Sequence, residues 1–223
     1  MKALRGPLAA LLLSLAAFAA MAAEDDPPPT FAFVGRLLSI EPEPDPCAAK
    51  NRQSGELACL MLDSLWRARY RVLQPVAGRQ ADEVVEFLVA DHYGFPPFAR
   101  FPQALLFVSQ GPDGAWLHKY QGIAVFPTRD GQWASCGQPF ARRSDAPVPA
   151  PRPIAYRDDL DAGTTIDRAE LRQRFEPDDY TVVDGHLRCR RGLPLPELYE
   201  GVRSGVMRAR GVPLPPWTAD GAS

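Results

Sequence analysis

The chain has 223 residues, a formal charge of −2, 24 prolines and four cysteines. So mild a charge excludes a protein that gathers nucleic acid or an anionic membrane by its net field alone. Proline at about twice its usual share disfavours a helical bundle, and the length suits one domain with an appendage.

Lys2 and Arg5 precede an apolar run from Leu8 to Ala20, and Ala20-Met21-Ala22 offers the small residues of a cleavage site. Residues 1–22 are therefore expected to be a removed signal peptide. The run falls short of the roughly 20 residues that cross a bilayer, no later stretch is long enough, and no cysteine follows the cleavage site to take a lipid. A soluble periplasmic or secreted product with no membrane span is expected. Loss of Lys2 and Arg5, with no acid, takes the formal charge from −2 to −4.

Phe31 to Glu41 reads as a strand, with Gly35 where a bulge or tight bend would fall. A polar, proline-rich insertion follows from Pro42 to Asp63. From Trp66 to Leu73 the pattern alternates: Trp66, Ala68, Tyr70 and Val72 face one way, Arg67, Arg69 and Arg71 the other. Gly78 turns the chain into a continuous apolar strand, Val84 to Ala90. A loop from Asp91 to Pro102 leads to a strand from Ala104 to Ser109, a turn at Gly111-Pro112-Asp113-Gly114, a strand from Ala115 to Phe126 broken at Gly122, and a short strand near Gln132 to Ser135. These elements predict a mainly β fold, a small closed antiparallel barrel of five or six strands over residues 30–140.

Residues 141–223 are expected to form a proline-rich and helical extension. Asp145 to Pro153 reads as a linker, and Asp167-x-x-Glu170 as a capping box opening a short helix to Phe175. A longer helix from Pro196 to Arg210 carries Leu198, Val202 and Val206 on one stripe and stops at Gly211 and Pro213.

Cys47, Cys59, Cys136 and Cys189 form an even set, which in an oxidising compartment reads as disulfides with three possible pairings. Spacing favours Cys47 with Cys59 and Cys136 with Cys189, the latter tying the extension back. Loop closure assigns such bridges about 3 and about 4 kcal/mol. A zinc site would want a Cys-x-x-Cys pair, which is missing.

Phe33-Val34-Gly35-Arg36, then Arg69-Tyr70-Arg71-Val72-Leu73 with Gly78, resemble the opening of netrin-like and tissue-inhibitor-of-metalloproteinase-like domains. Ala104-Leu105-Leu106-Phe107 and Gly131-Gln132-Trp133-Ala134-Ser135-Cys136-Gly137 resemble that family's later strands and closing cysteine. The resemblance spans residues 31–137 and implies a five-stranded OB-type barrel that binds proteins without catalysis. Inhibitors of this kind place a cysteine at the mature N-terminus, where this chain has Ala23-Glu24, and the family's cysteine between its middle strands is also missing. The fold carries over; metalloprotease inhibition does not.

The candidate binding loop is Asp91 to Phe101, in which His92, Tyr93, Phe95, Phe98, Arg100 and Phe101 offer apolar area and charge in a loop with two adjacent prolines, Pro96 and Pro97. The competing reading makes Phe95, Phe98 and Phe101 a cap on the barrel core. Arg67, Arg69 and Arg71 form a candidate basic face for a polyanion, weighed against a solvated outer surface; Arg188, Arg190 and Arg191 form a second basic cluster. The histidines are His92, His118 and His186, and no spacing brings them to Asp91 or Asp184. Asp158, Asp159 and Asp161 resemble a calcium loop without its later glutamate. No cofactor and no metal are expected.

The expected function is an exported binding module recognising another envelope or extracellular protein, without catalysis or nucleic acid. One alternative is an envelope hydrolase or metal-dependent enzyme using Asp91 and His92. Another is a structural accessory protein whose tail-helix stripe packs on an envelope assembly.

Overall fold

The computed structural model describes residues 29–78, 82–140, 149–157, 172, 175–183 and 186–218. Residues 1–22, the Asp158 to Asp161 motif and the Asp167/Glu170 capping box lie outside the described residues, as does the first part of the Asp145 to Pro153 linker, residues 145–148. Strands β1 (Thr30–Glu43), β2 (Ser64–Ala77), β3 (Val84–Asp91), β4 (Gln103–Gly111) and β5 (Gly114–Ala124) close into an OB-like barrel in the order β1-β2-β3-β5-β4. The expected all-antiparallel pairing is corrected at one seam: β3 and β5 run parallel, with Leu88 opposite Trp116. β4 is taken on one side by β1 and on the other by its hairpin partner β5, so β3 meets β5, whose direction it shares.

The two burial patterns in these strands have separate causes. β2 and β3 alternate because their outer faces meet water. β1 and β4 read as continuous apolar runs because both faces are buried. Phe31, Phe33, Leu106 and Val108 fill the barrel interior with Tyr70 and Phe87, while Ala32, Val34, Leu105 and Phe107 face outward under the C-terminal segment. Gly35 sits at a register shift of the β1–β2 ladder, and a Cβ there would meet Phe33 Cε2 at 2.7 Å and Tyr70 Cδ1 at 3.1 Å. The close ring packing leaves no room for a side chain at this position.

The Pro42–Asp63 insertion holds an unexpected helix, α1 (Pro46–Ser54). Asp45 caps it, accepting from the Cys47 N–H at 2.8 Å, Pro46 occupies the first turn, and Gly55 closes it at φ +71°. Those start and stop signals are standard, but the helix has almost no apolar face, so periodicity did not reveal it.

After the barrel come short antiparallel pairs: β6 (Phe126–Pro127) with β7 (Trp133–Ala134), β8 (Arg152–Pro153) with β11 (Arg191–Gly192), and β9 (Tyr180–Val183) with β10 (His186–Cys189). Disulfides join Cys47 to Cys59 and Cys136 to Cys189, with Cα–Cα distances of 5.0 and 5.4 Å. Helix α2 (Leu195–Val202) continues through a π turn at Arg203–Met207. Its Leu198, Tyr199, Val202 and Met207 are buried against the outward face of β1 and β4, Val206 packs on the same cluster, and Tyr199 stacks on Phe107 at 5.9 Å. The stripe that motivated the accessory-protein reading is thus occupied by the chain's own barrel. Among the described residues no helix is long and apolar enough to cross a membrane.

Candidate functional site

The loop after β3 is laced to the barrel, and it sorts its aromatics into two kinds. Asp91 is buried and its Oδ1 accepts the Tyr93 N–H at 2.8 Å, forming a tight turn. Trp66 Nε1 donates to Gly94 O at 3.0 Å, and Phe95 stands edge-on to the Trp66 ring at 5.1 Å, with the Arg100 guanidinium 5.3 Å from the Phe95 centroid. The one-turn 3-10 helix Pro97–Arg100 then lowers Phe98 into the barrel, beside Tyr70 and over Gly122. Burial pushes the Tyr70 phenol well above its ordinary range. Phe101 goes to a third apolar cluster, edge-on to Phe126 at 5.5 Å. Phe98 and Phe101 are therefore core, and Phe95 with Arg100 forms the support between core and surface.

The residues left facing solvent are His92 and Tyr93, which is 84% exposed. His92 Nδ1 lies 3.0 Å from Leu62 O and 3.6 Å from Asp63 Oδ1, so the ring docks on the end of the α1–β2 loop. Asp63 also takes both oxygens to Lys119 Nζ at 2.7 and 2.6 Å, and this hydrogen bond raises the lysine pKa. Asp91 is thus engaged within its own turn and His92 at the α1–β2 loop. Among the described residues no three metal-ligating side chains converge.

Two further components of this surface escaped the sequence reading. Leu57, Leu60 and Leu62 are 77%, 70% and 68% exposed, yet their loop is ordered from within. Asn51 Oδ1 accepts the N–H groups of Ala58 and Cys59 at 2.9 and 3.0 Å, its Nδ2 donates to Cys59 O at 2.8 Å, and the Cys47–Cys59 bridge closes the loop. A signal was available: leucines at 57, 60 and 62 in a polar stretch have no periodic partner. The other component is Tyr120. Register between β4 and β5 jumps from Leu106–Gly122 to Val108–Leu117, so residues 118–121 bulge out of the sheet. The strand break expected at Gly122 falls just before it. Tyr120 sits there at φ +65°, a left-handed conformation that costs a bulky residue about 1–2 kcal/mol. Its ring is 48% exposed, 6.1 Å from the Tyr93 ring and 5.3 Å from Lys119 Nζ.

The candidate basic face is neutralised where it is built. Arg67 holds Glu43 through Nε and Nη2, both at 2.9 Å, and Glu86 through Nη1 at 2.9 Å, while Arg69 Nε lies 3.6 Å from Glu86. Hydrogen bonds from Arg67 hold the Glu43 carboxyl below its ordinary value. Arg71 remains exposed beside an already balanced face.

A Ser–His contact also exists away from this surface: His118 Nε2 lies 2.6 Å from Ser109 Oγ, which is 2.6 Å from Thr30 Oγ1. Burial, then the nearby Arg210, lowers the His118 pKa. A general base must become an imidazolium, and a neighbouring cation opposes that, the reverse of a hydrolytic triad. Comparison with family models, curated proteins and solved structures finds no match to this chain.

Proposed function

We propose that this chain is an exported binding module that recognises another envelope or extracellular protein, without catalysis, through Leu57, Leu60, Leu62, Tyr93 and Tyr120. The observation that carries the reading is that three leucines are held in water by a loop with a disulfide and an asparagine clamp. Each leucine forgoes about 1.5–3 kcal/mol while exposed. A partner covering them recovers that energy with little ordering cost, because the loop is already organised. Tyr93 and Tyr120 supply rigid amphipathic area, and Asp63, Lys119 and His92 a polar rim, the usual anatomy of a protein contact. The strained Tyr120 backbone is in keeping with a ring displayed for use. The two disulfides fit an oxidising compartment, here periplasm or medium, and the resemblance to netrin-like domains points to protein binding on the same barrel.

The test is site-specific photo-cross-linking in the exporting cell, with p-benzoylphenylalanine at Leu62, at Tyr93 and at Asp113, which turns the hairpin at the opposite end of the barrel. One common protein adduct from positions 62 and 93, missing from 113, is the expected result. Adducts from all three positions, or from none, would overturn the proposal.

A further inference from the structure

The β6–β7 ladder stops one step early. Phe126 pairs with Ala134, and the same register carried toward the barrel would set Ala124 against Cys136. Among the described residues no backbone hydrogen bond joins those two, and the segments splay around a cleft of about 290 Å³. We propose that this cleft receives an extended peptide segment of the partner protein, which adds as a strand to the free edge of β5 and places one apolar side chain inside. The inference rests on reading the chain as a module that recognises a protein, and adds the form in which that protein is held.

Hydrogen-bond alternation identifies the free groups. The Val125 N–H donates to Gln103 O at 3.1 Å, so in the antiparallel register Ile123, opposite Leu105, also bonds to β4. Gly122 and Ala124 therefore turn their N–H and C=O groups to the other edge. Among the described residues β3 bridges β5 only at Leu88 and Trp116, well short of that edge. On the opposite wall the Ser135 N–H donates to Leu193 O at 2.9 Å and the Gly137 N–H to Arg191 O at 2.8 Å, so Cys136 between them turns its own N–H and C=O toward β5. Two backbone edges thus face each other across the cleft with donors and acceptors at strand spacing. Half-buried backbone groups of this kind call for partners, and an extended peptide supplies them in the matching alternation. The side walls are apolar: Phe98, Phe101 and Ile123 are buried beneath the cleft, and Phe175 stands edge-on to Phe101 at 6.0 Å. Pockets beside an added strand take its alternate side chains in this way. The volume lies at the lower end of ligand sites, which limits the insert to a short stretch. Tyr120 lines the cleft and also belongs to the leucine–tyrosine surface, so the two are continuous.

The experiment is NMR titration of the isotope-labelled, oxidised protein with the blocked peptide acetyl-Thr-Val-Phe-Val-Thr-amide. Saturable shifts of the Gly122, Ala124 and Cys136 amides are expected, with slower hydrogen exchange at the same three. A peptide with serine in place of the central phenylalanine should bind about tenfold more weakly, having no apolar side chain to bury. One N-methylated at its three central residues keeps the side chains, loses the donors and should not bind. Ala124→Pro removes an N–H that the β4 ladder does not use, which a strand edge tolerates, and should abolish the response. The N-methylated peptide binding as tightly as its parent, no amide shift up to about 10 mM, or an unchanged response in Ala124→Pro folded as the parent would each overturn the proposal. The peptide arms use the unmutated protein and decide the matter even if that variant fails to fold. Cross-links from positions 62 and 93 with a silent cleft would reject this inference alone, whereas peptide binding without those cross-links would reject the leucine–tyrosine surface and keep the cleft.

Discussion

The seat of Phe98 over Gly122 can be tested by a double-mutant cycle that distinguishes a barrel plug from a free recognition loop. A Cβ on Gly122 would lie 2.5 Å from Phe98 Cδ1 and 2.7 Å from Cγ, too close for any real contact. Gly122→Ala should therefore destabilise the protein by about 1–3 kcal/mol, the usual cost of overpacking. Phe98→Ala removes a ring that is 6% exposed, and should cost about 3–5 kcal/mol through lost burial and the cavity left behind. With the ring gone, alanine at 122 meets open space in a strand where glycine is unfavourable by about 0.5–1 kcal/mol, so the second substitution should become neutral or stabilising. The coupling is then about 1–4 kcal/mol, well above the error of urea unfolding followed by tryptophan fluorescence with both disulfides intact. Strictly additive effects would show that the ring does not occupy the barrel and would return Phe98 to the surface.

Leu198→Ala should cost about 2–5 kcal/mol and lower the barrel's own melting, because Leu198 shares a cluster with Val34 and Phe107; a barrel transition unmoved by it would mean that the tail folds separately. Replacing Cys136 and Cys189 together by serine should lower stability by about 4 kcal/mol, against about 3 kcal/mol for Cys47 with Cys59, since the closed loops differ in length. A larger loss from the short bridge in urea titration would contradict that ranking. His118 has its pKa depressed in the fold, so its contribution is complete above the unfolded value of about 6.5 and is lost as pH falls through the folded one. The melting temperature should accordingly drop on acidification from about pH 7 to pH 5, and His118→Gln should flatten that drop; an equally steep fall in the variant would assign it to other groups.

The elements that could be read along the chain are those whose causes are local. Alternation in Trp66 to Val72 is visible because side chains in a strand point to opposite faces, and the Gly111 to Gly114 turn because its residues favour that backbone. The short Cys47–Cys59 pairing could be favoured from spacing alone. Helix α1 was hidden because its stability comes from caps, without an apolar stripe to mark it. Other features were decided only when distant segments met. β1 and β4 are apolar throughout, which says that both faces are covered but not by what; the tail helix supplies the cover. Phe95, Phe98 and Phe101 are the same residue type within one loop, and the tertiary positions of Trp66, Gly122 and Phe126 determine which lies half-buried and which are core. Arg67 and Arg69 look like a cationic stripe until Glu43 and Glu86 arrive from neighbouring strands. Sequence determines local conformation and the compartment-linked disulfide set because these depend on neighbours along the chain. Surface chemistry depends on neighbours in space, and only the closed barrel and its docked tail bring those together.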